Sequence, residues 1–452
     1  MKFRKFGKAL LMSAISVGAV LGVTSCVQSY TVGFLYVTGN QTAGTTGQGI
    51  ISGFKIDHNT GYLTPVNGLP VGSGGANPGR AVLMVASRFF YVLNRGVDAS
   101  GGADCTSAAN PCTKSNITLF AVGSNGVLSL QPQQFYTQGN NPFRIVNDSQ
   151  GNFIYVLDHD APDSGIGASN SCTLALGPSV TTCGDITAFK VDQTTGRLSL
   201  VINTQVSTAS GQPLPYFPVP PNAIDMTLVK SNYMLVLSGT PAIGDSVFPY
   251  SFAPQNGQLT ISQSGLQPLN VFQATALQQA NGTVYVLDNE PITVNGITSP
   301  SQIIPYTVGN GGALQAQTGG PVADDPTMSN PQFVLAGTGT TQGKWLYLAN
   351  TGDNQNQSNQ QSGIAGYIIQ TGANNQLTTM PGSPFGTGAG PQCLVEDSSN
   401  QFIYTANFNS SSVTGSSIDE NAGSLKPLPG KADRSYSLPG PAAYCVINGR
   451  TG

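Results

Sequence analysis

Few residues in this chain can do chemistry. Only 9% of its 452 residues are charged, and its two histidines are His58 and His159. Arg80 and Arg144 stand out because each ends a similar segment, Asn77-Pro78-Gly79-Arg80 and Asn141-Pro142-Phe143-Arg144. Two guanidinium groups at matching positions suit an anion, since their planar fork of donors fits a carboxylate or phosphate. They equally suit a structural role, bonded to backbone carbonyls or to a carboxylate. Asp225, near the corresponding place in a later segment, could pair with one of them. Asp158-His159-Asp160 sets an imidazole between carboxylates, which could raise its pKa and make it a general base. Otherwise His159 is a solvated turn residue. Glu290, in Asp288-Asn289-Glu290, is a second candidate for activating water. There is no nucleophile elbow, no phosphate-binding glycine loop and no His-rich ligand set, so neither a metal nor another cofactor is expected.

The cysteines and the first residues point to an exported protein. Lys2, Arg4, Lys5 and Lys8 precede an apolar run, Ala9 to Val23, too short to span a membrane. The run closes on Val23-Thr24-Ser25-Cys26, similar to a bacterial lipoprotein signal in which the Cys is lipidated. An ordinary secretory signal with an incidental Cys is the alternative. Val27 after Cys26, in place of Asp, resembles lipoproteins passed to an outer membrane. Removing residues 1–25 takes those four of the 18 basic residues, leaving 14 against 21 acidic ones, a net charge of −7. A nucleic-acid partner needs clustered Lys and Arg and is excluded. Six further cysteines form an even set, as an oxidising compartment favours. Cys105–Cys112 and Cys172–Cys183 each bracket a polar loop, which leaves Cys393 and Cys445.

These candidates hang on a repeat. An apolar strand is written seven times: Phe34-Leu35-Tyr36-Val37, Phe89-Phe90-Tyr91-Val92, Phe153-Ile154-Tyr155-Val156, Tyr233-Met234-Leu235-Val236, Thr283-Val284-Tyr285-Val286, Trp345-Leu346-Tyr347-Leu348 and Phe402-Ile403-Tyr404-Thr405. A hairpin follows each copy, clearest in Gly53 to Leu63 and Ala188 to Leu198, with Gly or Asn at the turn and Leu opening the next strand. Before most copies stands a further strand opened by Asn-Pro or Gly-Pro. Four antiparallel strands per unit, A to D, seven units and no helices predict an all-β, seven-bladed β-propeller. The first unit lacks strand A, and Ala442-Ala443-Tyr444-Cys445-Val446-Ile447 is a strand A with no successor. The C-terminal strand should therefore complete blade 1 and close the ring, removing the sheet edges. Counted from the repeat, Cys393 and Cys445 share one strand A position, so a disulfide would lock blades 7 and 1; two buried thiols are the alternative. Arg80 and Arg144 hold that position in blades 2 and 3, with Ile224, Ala274 and Phe333 in blades 4 to 6. The long loops after strand B, residues 95–116, 159–185, 290–302 and 351–363, either wall a ligand site at the channel mouth or are solvent-facing decoration.

Tyr91-Val92-Leu93-Asn94, the Ile-Asp-x-x-Thr-Gly-x-Leu hairpin and the Asn-Pro strand opening resemble the 6-phosphogluconolactonase-like, seven-bladed lactonase family with its Tyr-Val-x-Asn repeat, over about residues 30–448. The resemblance implies hydrolysis of a sugar-acid or related lactone and matches Glu290 to the family's Glu after a Tyr-Val-x-Asn strand. The family's Arg-His pair is replaced here by Gln273-Ala274-Thr275. Arg80, Arg144 and Asp225 would then hold the ligand, with Glu290, His159 and Arg144 catalytic. The competing expectation is a non-catalytic binding or scaffold propeller for a carbohydrate, peptide or partner protein. The expected organisation is a signal at 1–25, a tether at 26–30 after lipidated Cys26, and one propeller domain at 31–448. That describes a monomer of the cell envelope, on the periplasmic or outer-membrane side, touching the membrane only through its lipid.

Overall fold

The structure is a computed structural model and describes residues 30–41, 48–98, 112–229, 232–239, 244–262, 266–280, 282–352, 361–370, 376–429 and 435–449. The signal, Cys26 and Cys105 lie outside these residues. Seven antiparallel sheets form a ring, a seven-bladed β-propeller. Strand A of each blade lines the axis: Pro78–Met84, Asn140–Asn147, Ala223–Val229, Ala274–Ala280, Pro331–Ala336 and Pro391–Glu396 in blades 2 to 7. Ala442–Asn448 is strand A of blade 1 and pairs with Thr31–Asn40, so the last strand closes the ring. The seven strands D begin at Leu63, Leu128, Leu198, Leu259, Leu314, Leu377 and Leu425. Beyond each strand D, in every blade but the second, a further short strand pairs with the other end of strand C.

Strand B is buried on both faces, which is why it reads as a continuous apolar run. In blade 3, Phe153 to Asp158 are all at most 2% exposed. In five blades the recurring Tyr stitches the blade to the next. The hydroxyls of Tyr36, Tyr91, Tyr155, Tyr347 and Tyr404 donate to the carbonyls of Gly126, Gly196, Gly257, Gly423 and Gly61, at 2.5 to 3.1 Å. Those glycines sit in the C–D turn of the following blade, and Tyr404 to Gly61 crosses the ring closure. Each has a left-handed φ between 68° and 81°. A Cβ there would strike the aromatic ring two residues before the Tyr, as at Gly257 against Phe153, 2.5 Å away. The Phe-x-Tyr strand and the Gly turn are therefore two halves of one contact. Blade 4 has Leu235 in place of the Tyr. There the hydroxyl of Tyr233 accepts from the Gly311 backbone N–H at 3.1 Å and restores the link.

The loop between strands B and C of blade 3 departs from the helix-free expectation. It carries a one-and-a-half-turn helix, Ser171–Leu176, capped by Asn170, whose side chain accepts from Thr173 N–H at 3.0 Å. The Cys172–Cys183 disulfide fastens it, Cα to Cα 5.5 Å. Cys393–Cys445, Cα to Cα 6.0 Å, joins the inner strands of blades 7 and 1. Cys112 is also disulfide-bonded.

Candidate functional site

Every inner strand carries a β-bulge near its start, at the mouth of the channel. In blade 3, Arg144 pairs with Leu157 and Pro142 with Asp158, so Phe143 is the extra residue. The same count makes Ile224, Thr275, Gln332, Gln392 and Ala443 the extra residues of blades 4, 5, 6, 7 and 1. In blade 2, Gly79 and Arg80 lie between paired Pro78 and Ala81. Bulges re-aim side chains, and here they feed the mouth. The Asn that opens these strands is left-handed, at φ 50° in Asn77, 61° in Asn141 and 57° in Asn222 and Asn330, a conformation Asn tolerates better than most residues.

The bulge corrects the sequence count. The residue after it is Arg144 in blade 3, Asp225 in blade 4, Ala276 in blade 5, Phe333 in blade 6, Cys393 in blade 7 and Tyr444 in blade 1. Ile224, Ala274 and Cys445 are not the equivalents of Arg144; Asp225, Ala276 and Tyr444 are. The extra residue shifts the register, and a repeat counted without it slips.

Asp225 is fully buried and takes both arginines. Its Oδ1 lies 3.1 Å from Arg80 and 3.1 Å from Arg144 Nε, and its Oδ2 accepts from Arg80 at 3.3 Å. Backbone N–H groups of Met226 and Leu277 complete it at 3.0 and 3.1 Å. The sequence reading of a carboxylate bonded to one arginine is thus doubled. The guanidinium groups reach a cavity of about 260 Å³ at the mouth. Arg80, Arg95, Arg144, Phe143, Tyr444, Gln332 and Gln392 line it. Arg80 lies over the Tyr444 ring at 5.8 Å and Arg144 over Phe143 at 5.2 Å. Three guanidinium groups thus line the cavity, two of them held by the buried Asp225. Burial and the like charge of Arg80 push the Arg144 pKa down to about 10, against the pull of Asp225. Burial also opposes the charge on Arg80, but Asp225 and Tyr444 together outweigh it and the pKa stands raised.

Arg95 was not singled out from sequence. It directly follows the Asn94 that ends strand B of blade 2, and that place in the repeat was the signal.

The other candidates sit apart. His159 stacks flat on Phe143, ring centroids 3.7 Å apart, behind the cavity wall. Its pKa falls to about 4, through burial and then the charges of Arg95 and Arg144, so the raised value expected from its flanking carboxylates is not what the fold produces. Glu290 is outside the cavity lining; its carboxylate accepts from the Phe272 backbone N–H at 3.2 Å, beside a second cavity of about 470 Å³ between blades 4 and 5. There Asp288, whose pKa burial raises to about 6, accepts from Gln302 at 2.7 Å. Arg80 and Arg144 therefore converge, and Glu290 does not join them.

No protein-family model and no curated protein matches the chain. Solved structures do. Two are described as "putative 6-phosphogluconolactonase". The one from Bacteroides uniformis has a TM-score of 0.62 at 13% identity, covering 92% of this chain and 99% of its own. The one from Bacteroides fragilis has 0.61 at 14%, covering 92% and 98%. The periplasmic gluconolactonase of Pseudomonas aeruginosa has 0.59 at 15%, covering 92% and 98%. At these identities the likeness is one of fold.

Proposed function

We propose that this propeller binds a small carboxylate- or phosphate-bearing ligand, of the size of an acidic sugar, at its channel mouth. The carrying observation is the convergence of Arg80, Arg95 and Arg144 on one cavity, with Arg80 and Arg144 oriented there by Asp225. Guanidinium donors give fixed geometry to an anion. Phe143 and Tyr444 give the cavity its apolar wall, and Gln332 and Gln392 offer amides. Disulfides suit an oxidising compartment, and the reading places the protein in the cell envelope, tethered through lipid on Cys26. Mass spectrometry of the mature N-terminus tests the tether; an unmodified Cys26 overturns it.

Lactone hydrolysis is the second reading, favoured by the fold shared with structures that carry lactonase names. The arginines would polarise the lactone carbonyl and stabilise the oxyanion. A base would have to come from His159, neutral at neutral pH but weak, because Glu290 lies elsewhere. Titration calorimetry with gluconate and 6-phosphogluconate, beside a hydrolysis assay on glucono-δ-lactone corrected for the buffer rate, separates the two. Binding without turnover, lost in Arg144→Ala, supports the first reading. Turnover lost in Arg144→Ala supports the second. Neither binding nor turnover removes both.

A further inference from the structure

We infer that Asp158 and Asp185 share one proton in the folded protein, a carboxyl–carboxylate joint at the root of the blade 3 loop. The two residues face each other in register, at the end of strand B and the start of strand C, and both are 0% exposed. Blade 2 holds a neutral version of the same pair. Its equivalents, Asn94 and Asn116, also face each other, and Asn94 Nδ2 donates to Asn116 Oδ1 at 2.8 Å and to Thr118 at 3.2 Å. Blade 3 keeps the threonine, as Thr187, and replaces both amides by carboxyls of the same shape. The amide hydrogen that joined the pair is gone, and a proton is the smallest thing that restores the bond.

The donor count leads to the same place. Asp158 accepts from Thr137 at 2.8 Å. Thr187 Oγ1 lies 3.5 Å from Asp158 and 3.3 Å from Asp185, and its single hydrogen serves one of them. Asp185 Oδ1 has no hydrogen-bond partner. The other titratable groups facing the pair are acids as well: Asp160 and Asp163 from the loop, Tyr216 after it and Tyr250 from blade 4. Among the described residues no lysine or arginine forms an ion pair with Asp158, Asp160 or Asp185. A buried carboxylate so placed takes a proton instead of staying charged. A cation is the other way to neutralise the pair, and Gly139 leaves it little room: a Cβ on that residue would lie 1.8 Å from Asp185 Oδ1. Burial, and for Asp185 the neighbouring Asp158, holds both carboxyls well above the ordinary range.

The sign of the pH effect follows. A carboxyl whose folded pKa is raised leaves stability intact below the unfolded value of about 3.9 and loses it as pH climbs through the folded value. His159, next to Asp158, stacks on the cavity wall, so the joint also sets where that wall stands. The test is Asp185→Asn, with melting temperature read near pH ~4 and near pH ~8. The variant should melt with wild type at the acid end and above it at the alkaline end. Calorimetry in buffers of different ionisation heat should show about one fewer proton released on unfolding near neutrality. Equal destabilisation at both pH values overturns the inference. So does a calcium-dependent rise in wild-type melting temperature that Asp185→Asn abolishes, since the pair would then hold a cation. Asp158→Asn should behave with the same sign. If neither variant folds, infrared spectroscopy of wild type with labelled aspartate decides: a protonated carboxyl band at neutral pH is expected, and its absence overturns the proposal.

Discussion

Asp225 exposes no surface, yet residues of four blades meet on it. Arg80 comes from blade 2, Arg144 from blade 3, the Met226 N–H from its own strand and the Leu277 N–H from blade 5. Removing one partner of a buried charge group costs more than the pair contributes, because the charges left behind have no compensation. Asp225→Ala should therefore cost about 3–5 kcal/mol, read as a lower urea midpoint. Arg144→Ala leaves Asp225 with Arg80 and two amides and should cost less stability. It should instead weaken anion binding by about tenfold or more, the loss of one charge-assisted bond. Calorimetric titration against pH separates the titrating groups. Affinity for gluconate, whose carboxylate is ionised throughout, should be flat from about pH 6 to 8, because Arg144 stays charged and His159 stays neutral there, and should fall as pH approaches about 10 and Arg144 loses its proton. A step near the usual imidazole pKa would contradict the placement of His159 behind Phe143.

At the scale of the strand, the Tyr hydroxyl and the turn glycine explain why both motifs recur together. Tyr155→Phe removes one buried hydrogen bond and keeps the ring, so the expected cost is about 1 kcal/mol. Gly257→Ala should cost more, about 1–3 kcal/mol, because its left-handed backbone and the Phe153 ring both resist a Cβ. Chemical denaturation of the two variants checks the order; an alanine variant as stable as wild type would remove the contact from the account. The bulge is the other device at this scale. One extra residue per inner strand places Phe143, Gln332 and Gln392 around the cavity that Arg80 and Arg144 charge.

At the scale of the molecule, the ring is closed three times over: by Ala442–Asn448 on Thr31–Asn40, by Tyr404 on Gly61, and by Cys393–Cys445. The disulfide spans 52 residues of sequence. The paired Cys393→Ser and Cys445→Ser variant should lose about 4 kcal/mol in the chain-entropy account and still close through its hydrogen bonds. Urea unfolding of oxidised wild type against this variant measures the loss; no difference would mean the strand pairing alone carries the closure. The same bridge follows Gln392 and Tyr444, two cavity residues, so ring closure and the site share one seam.

Legibility differed by level for physical reasons. Blade number, strand order and the displaced last strand could be read from the chain, because burial of strand B on both faces and a turn demanding Gly write themselves as spaced apolar runs and glycines. The cysteine pairing of blades 7 and 1 followed from that order. The Arg80 and Arg144 pair was visible as a repeated segment and Asp225 as a partner for one of them, but that Asp225 takes both was not, since the bulge before Asp225 breaks the count and only pairing reveals a bulge. Arg95 and the stacking of His159 on Phe143 needed loops from different parts of the chain brought to one mouth. The separation of Glu290 from the arginines was decided in the same way, by which blades face each other across the channel. Sequence determined the ring; tertiary structure decided which of its few charges meet, because local pattern encodes burial and turns, whereas convergence depends on where the ring places each strand end.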